Sequence, residues 1–163
     1  MQTQPQSTTL YDADFYAWTQ QQAERLRSRK LDQLDIENLA EEIESLGRQE
    51  QRELENRLGV LLGHLLKWHY QPQRRSGSWF ATIREQRRRI LRHLKANPSL
   101  KPYFAEAIAE GYEDGLDLFT RETGLNPDEL PQSCPFSVEQ IFEEVIEFPE
   151  PPSQPTSRKP LKL

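Results

Sequence analysis

Three histidines, one cysteine and a cluster of glutamates are the groups in this 163-residue chain whose types could do chemistry. Glu41, Glu42, Glu44 and His64 come first, because carboxylates and imidazoles projecting into a bundle core are how helical proteins hold metal ions. Their spacing argues against it. Di-iron bundles place a Glu three residues before a His, and here Leu61, Leu66 and Ile90 stand three before His64, His69 and His93. The HExxH pattern of zinc proteases is also missing. His64 and His69 are five apart and so fall on different faces of a helix. On a helical wheel Glu41 and Glu42 lie well off the apolar stripe, with Glu44 and His64 at its flanks. The expectation is a solvated acidic face and a boundary histidine hydrogen-bonded to a neighbour, with no metal and no cofactor.

Arg87 sits nearer the apolar side of its segment than Arg84, Arg88, Arg89 or Arg92. A guanidinium close to a core needs an acid, and by angle Glu44 is the expected partner, in a pair that would fix helix register. The wider basic block of Arg74, Arg75, Arg84, Arg87, Arg88, Arg89, Arg92 and Lys95 is the sharpest cue for nucleic acid. Arg84, Arg88 and Arg92 are four apart and form a ridge able to track phosphates. No recognised nucleic-acid motif accompanies it, and aromatic interleaving is limited to Trp79 and Phe80.

Nothing in the sequence assigns a catalytic residue. Cys134 stands between Ser133 and Pro135 without a Cys–His arrangement, and no GxSxG, GxGxxG or GxxxxGK[ST] is present. Trp18, Trp68 and Trp79 lie on apolar faces and read as core anchors, with ligand stacking the lesser alternative.

The elements that must position these residues are helical. Asp12 is the expected N-cap of a first helix over about 13–28. Residues 31–34 read as a short connection, with Asp32 and Asp35 suited to capping the second helix. From Asp35 to about Tyr70 no proline occurs, and apolar residues recur at three- and four-residue steps from Ile36 to Leu65. That pattern predicts one long amphipathic helix of roughly 50 Å, which Gly47 and Gly59 could bend. Gln71-Pro72 ends it. A third helix is predicted over about 79–96 after Ser76 or Ser78, and a fourth from a Ser99 cap to about Glu122. Gly111 and Gly115 share one side of the fourth helix and would let another helix approach closely. Gly124 suits a left-handed C-cap, Asn126-Pro127 a capped turn, and Ser137 with Gln140 a capping box for a short helix to about Val145.

Composition supports the same fold class: Leu and Glu are abundant and β-branched residues sparse. The longest apolar stretch, residues 60–66, is interrupted by Gly63 and His64 and excludes a membrane span. One cysteine excludes an internal disulfide, and the polar N-terminus has no secretory pattern. The net charge of −5 conceals a strong asymmetry. Residues 67–101 carry ten bases and one acid, whereas residues 102–150 carry thirteen acids and one base. The third and fourth predicted helices, which carry most of these charges, are expected to lie close enough for them to meet, within one chain or across a dimer.

The strings LYDADFYAW, LAEEIESLGR, LLGHLLKWHYQP, SWFATIREQR, NPSL, ETGL and CPF succeed one another in this order. They resemble the family of uncharacterised proteins, abundant in cyanobacteria, known as the domain of unknown function numbered 29. The resemblance covers about Leu10 to Pro149 and implies a compact helical domain with no assigned activity. Where the family often places a glycine-containing turn after its first helix, this chain has Lys30.

The expectation is therefore an all-α, single-domain bundle over 11–148, with four main helices and a short C-terminal one. A disordered arm over 1–10 and a proline-rich basic tail over 149–163 flank it. The leading functional reading is a non-enzymatic cytoplasmic module acting by protein–protein interaction, as a homo-oligomer (a dimer) or with an unidentified protein. The second is nucleic-acid association through the Arg84–Arg92 ridge. A weaker third is a metal or small-ligand site around Glu41, Glu42, Glu44 and His64, close to Trp68, Trp79 and Arg87.

Overall fold

The computed structural model describes residues 9–149, and among them all regular structure is helical. The expected arm and tail fall almost wholly outside these residues. Six α-helices occur in order: α1 (Leu10–Ala13), α2 (Phe15–Arg27), α3 (Ile36–Tyr70), α4 (Gly77–Ala96), α5 (Phe104–Thr123) and α6 (Val138–Phe142). Four are long, as the periodicity predicts. The chain divides into two compact units, Met1–Glu50 and Gln51–Leu163, with α3 contributing residues to each.

In the first unit the helix expected over 13–28 is α2, and a short helix the sequence did not predict, α1, precedes it. Thr9 caps α1 by accepting from the amide of Asp12, and Asp14 caps α2 by accepting from Ala17 at 2.9 Å. Asp12 and Asp14 are both able to cap, and the one nearer the apolar run takes the amides of the longer helix. Trp18 anchors the unit. Its indole donates to Asp35 at 3.0 Å, and its ring lies beside Tyr11 and Phe15. Asp35 also accepts from the Asn38 side chain at 2.8 Å, while its own amide donates to Gln22. The bonds to its carboxyl hold it below the usual range, the Asn38 bond chief among them. The connection passes through Arg29, whose φ of +56° is left-handed.

α3 runs unbroken for 35 residues through Gly47 and Gly59. Its second half is the spine of the larger unit. Leu54, Leu58, Leu61, Leu62, Leu65 and Leu66 are all fully buried there. Each contributes about 1.5–3 kcal/mol by leaving water. Ile83 and Ile90 from α4, Tyr112 and Phe119 from α5, and Ile141 from α6 complete this core.

The close approach expected at Gly111 and Gly115 is present, and its other side is Gly59 and Gly63 of α3. A Cβ at Gly111 would meet the Leu58 Cβ at 2.7 Å and the Gly59 amide nitrogen at 3.1 Å. Gly59 is thus a contact residue rather than a bend. α4 begins at Gly77, with Ser76 as its cap. Ser99 does not cap the fourth helix: residues 98–103 form a 3-10 segment, and α5 starts only at Phe104. Pro98 and Pro102 lack amide protons within this short run, which favours the tighter turn. Gly124 ends α5 at φ +70°. The Ser137–Gln140 capping box is formed, but α6 stops at Phe142 rather than Val145.

Candidate functional site

Glu41 and Glu44 are exposed, and Glu44 faces Arg48 at 3.7 Å, one turn along α3. Glu42 is half-buried and accepts from the Tyr11 hydroxyl at 2.5 Å, a bond that pushes Tyr11 up to about 12. These three belong to the smaller unit, and His64, Trp68, Trp79 and Arg87 to the larger one. Among the described residues no three His, Cys, Asp or Glu side chains gather to hold a metal. His64 is bonded as expected of a boundary histidine, through Nδ1 to the Val60 carbonyl at 2.8 Å. Burial, reinforced by Lys67, lowers its pKa and keeps the ring neutral near pH 7.

Arg87 does not pair with Glu44. Its Nε donates to the carbonyl of Ile141 at 2.6 Å, Nη1 to that of Glu144 at 2.7 Å and Nη2 to that of Gln140 at 3.0 Å. The last carbonyls of a helix have no amide of their own turn to receive. The guanidinium of α4 therefore closes the end of α6, much as a C-terminal arginine would. Only 9 % of Arg87 is exposed, and its burial lowers its pKa against the opposing pull of Glu144.

The most deeply placed charge is one the spacing did not single out. Lys67 is 1 % exposed, pairs with Glu122 of α5, and holds its ammonium 4.6 Å from the Trp79 ring centre. That bond holds the Glu122 carboxyl below its ordinary value. The signal in the sequence was Lys67's position: directly between Leu66 and Trp68, where the apolar stripe is widest. His69 likewise meets Glu144 at 3.1 Å. Both contacts join residues 67–101 to residues 102–150, but Lys67 and His69 stand at the end of α3 rather than on the third predicted helix, where the charges were expected to meet those of the fourth. Trp68 is buried, its carbonyl accepting from Arg75 Nε at 2.9 Å and its ring under that guanidinium at 4.9 Å.

Arg74, Arg84, Arg88 and Arg92 are exposed. Arg89 is bound to Glu85 on its own helix. Cys134 is half-buried and its thiol is pushed up by burial, so it stays protonated at neutral pH and is a poor nucleophile.

Sequence reasoning also missed a groove in the smaller unit. Phe15, Trp18, Ala23 and Leu26 of α2 face Leu39, Ile43 and Leu46 of α3 across an open cleft of about 440 Å³. Trp18 and Gln22 are the buried residues of this unit, whereas Leu26, Ile43 and Leu46 are about half exposed or more. The stripe on α3 was legible, but which part of it would stay uncovered was not.

An all-α protein of long packed helices, with internally paired charges and an uncovered apolar cleft, is the class that this fold defines. The sequence matches the family model described as domain of unknown function DUF29 over residues 10–146. The chain belongs to that family. No curated protein and no solved structure matches it. Among the described residues no helix is long and apolar enough to cross a membrane.

Proposed function

We propose that the chain is a non-enzymatic cytoplasmic module that works by association, first of all with a second copy of itself through the α2–α3 cleft. The observation that carries this reading is the thinness of the smaller unit's own core. A pair of helices burying little more than Trp18 and Gln22 cannot offset its ordering entropy. Ile36, Ile43 and Leu46 of α3, with Phe15 and Leu26 of α2, remain available to be covered. Two such helix pairs stacked about a two-fold axis would make a four-helix arrangement closing both clefts.

Charge favours a second copy as the occupant. The end of α2 carries Arg25 and Arg27, and the first half of α3 carries Glu37, Glu41 and Glu44. Two-fold stacking sets α2 of one copy against α3 of the other, so opposite charges line the rim of the contact. Light scattering after size-exclusion chromatography tests this. The chain should elute with twice its mass of 19.2 kDa, and Ile43→Glu with Leu46→Glu should return it to one. A monomer at every concentration, or a dimer that survives both substitutions, would overturn the reading.

A further inference from the structure

We propose that the exposed face of α4 binds single-stranded nucleic acid, with Arg84, Arg88 and Arg92 on the phosphates and Phe148 beneath a base. This surface lies in the larger unit and does not depend on the association proposed above.

Arg84, Arg88 and Arg92 are spaced four apart on a continuous helix, so their Cα atoms rise about 6 Å per step along one line. All are exposed. Among the described residues no carboxylate pairs with Arg88 or Arg92, while the one acid of this helix, Glu85, is bound to Arg89. Like charges four apart destabilise a helix by about 0.2–0.5 kcal/mol per pair. Elsewhere the chain provides its cations with partners of its own, by pairing Lys67 with Glu122 and Arg89 with Glu85 and by seating Arg87 on carbonyls. The Arg84–Arg88–Arg92 row is left without that relief. A polyanion supplies it, with release of its counterions.

The aromatic side of the site separates a nucleic acid from other polyanions. The row starts beside a groove of about 520 Å³ lined by Gly77, Phe80, Ala81, Arg84, Arg88 and Phe148, with Glu85 as its one carboxylate, held by Arg89. The Arg84 guanidinium lies 5.4 Å from the Phe80 ring centre, and Phe148 stands edge-on to Phe80 at 5.3 Å. Phe148 nevertheless leaves 63 % of its surface in water. One aromatic face braced by its neighbours and open to solvent, next to a line of guanidinium groups, is what a base and its flanking phosphates require. A single strand is favoured over a duplex because only unpaired bases can stack on such a ring. The acidic remainder of the chain would also repel a long rigid polyanion, whereas a flexible strand can confine itself to this face.

Fluorescence anisotropy with a short labelled uridine-only RNA tests the proposal. The intact chain should bind at low salt and lose about 20-fold in affinity between roughly 50 and 200 mM salt, as three phosphate contacts predict. Arg84→Glu with Arg88→Glu should abolish binding, and Phe148→Ala should weaken it about tenfold. All three side chains are exposed, so circular dichroism should show the fold intact in both variants. Absence of binding at low salt would overturn the proposal. So would binding that survives the double arginine substitution, equal affinity for base-free polyphosphate, or tighter binding to a duplex of the same length.

Discussion

A Cβ at Gly115 would lie 2.9 Å from the amide nitrogen of Gly63, so α5 and α3 touch backbone to backbone there. No side chain can yield to make room, because the nearest atoms in the way belong to the main chain of α3. Gly115→Ala should therefore destabilise the fold by about 1–3 kcal/mol, despite alanine's better helix propensity. Gly47 is the control: nothing lies within 4 Å of its Cβ position. Gly47→Ala should raise stability by about 0.5–1 kcal/mol. Urea denaturation of both variants checks the opposite signs, and equal shifts would refute the close approach.

Much of this contact was legible, and the part that was not shows where the limit lies. Gly111 and Gly115 are four apart, so their common face follows from helical geometry alone. Gly59 obeys the same geometry with Gly63, yet inside a long helix a glycine reads equally well as a bend. Only the arrival of a second helix distinguishes the two. Arg87 repeats the lesson. Its angle on α4 correctly marks it as facing inward, but an angle names no partner, and carbonyls of residues 140–144 took the place expected of Glu44. Backbone acceptors leave no trace in residue identity. The α2–α3 cleft was hidden for a related reason, since periodicity reports an apolar face and not whether anything covers it.

Lys67 and Glu122 differ sharply in exposure, at 1 % and 44 % of the side chain. Removing the acid strands a buried ammonium, whereas removing the lysine leaves an acid that water can reach. Glu122→Gln should cost on the order of 2 kcal/mol, and Lys67→Met distinctly less. The folded-state pKa of Glu122 is lowered from its ordinary 4.5. Its contribution is thus fully present above that value and is lost as pH falls through the lowered one. The gap between the native chain and Glu122→Gln should close as pH drops below about 4.5. Thermal melts across an acid series measure this, and a gap unchanged by pH would rule the pair out as its cause.

Arg29 stands at φ +56°, where an L side chain crowds its own backbone. Its amide donates to the Leu26 carbonyl and that of Lys30 to Arg25, which fixes the conformation. Glycine meets the same geometry without the crowding. Arg29→Gly should leave the turn intact and gain about 0.5–1 kcal/mol, since the relief of strain exceeds glycine's entropy cost in an already left-handed position. The midpoint of thermal unfolding reports it, and a lower midpoint would mean that the arginine side chain has a role of its own.

Arg87 carries the connection between α4 and the segment after α6. Its guanidinium satisfies three carbonyls at once, and burial leaves no water to replace it. Arg87→Met keeps much of the apolar stem but orphans these acceptors, so the segment must either bear the desolvation cost or come away from the helix. The loss should be about 2–4 kcal/mol, or roughly 4–16 °C in the midpoint for a chain of this size. Arg87→Lys should fall between, because an ammonium cannot reach three diverging carbonyls with the geometry of a planar fork. Hydrogen exchange separates a local release from a general weakening. Amides of residues 138–149 should lose protection in Arg87→Met while those around Leu61 and Leu65 keep theirs. Unchanged protection in residues 138–149 would mean that the hydrophobic contacts of Ile141 and Phe142 suffice to hold the segment without the guanidinium.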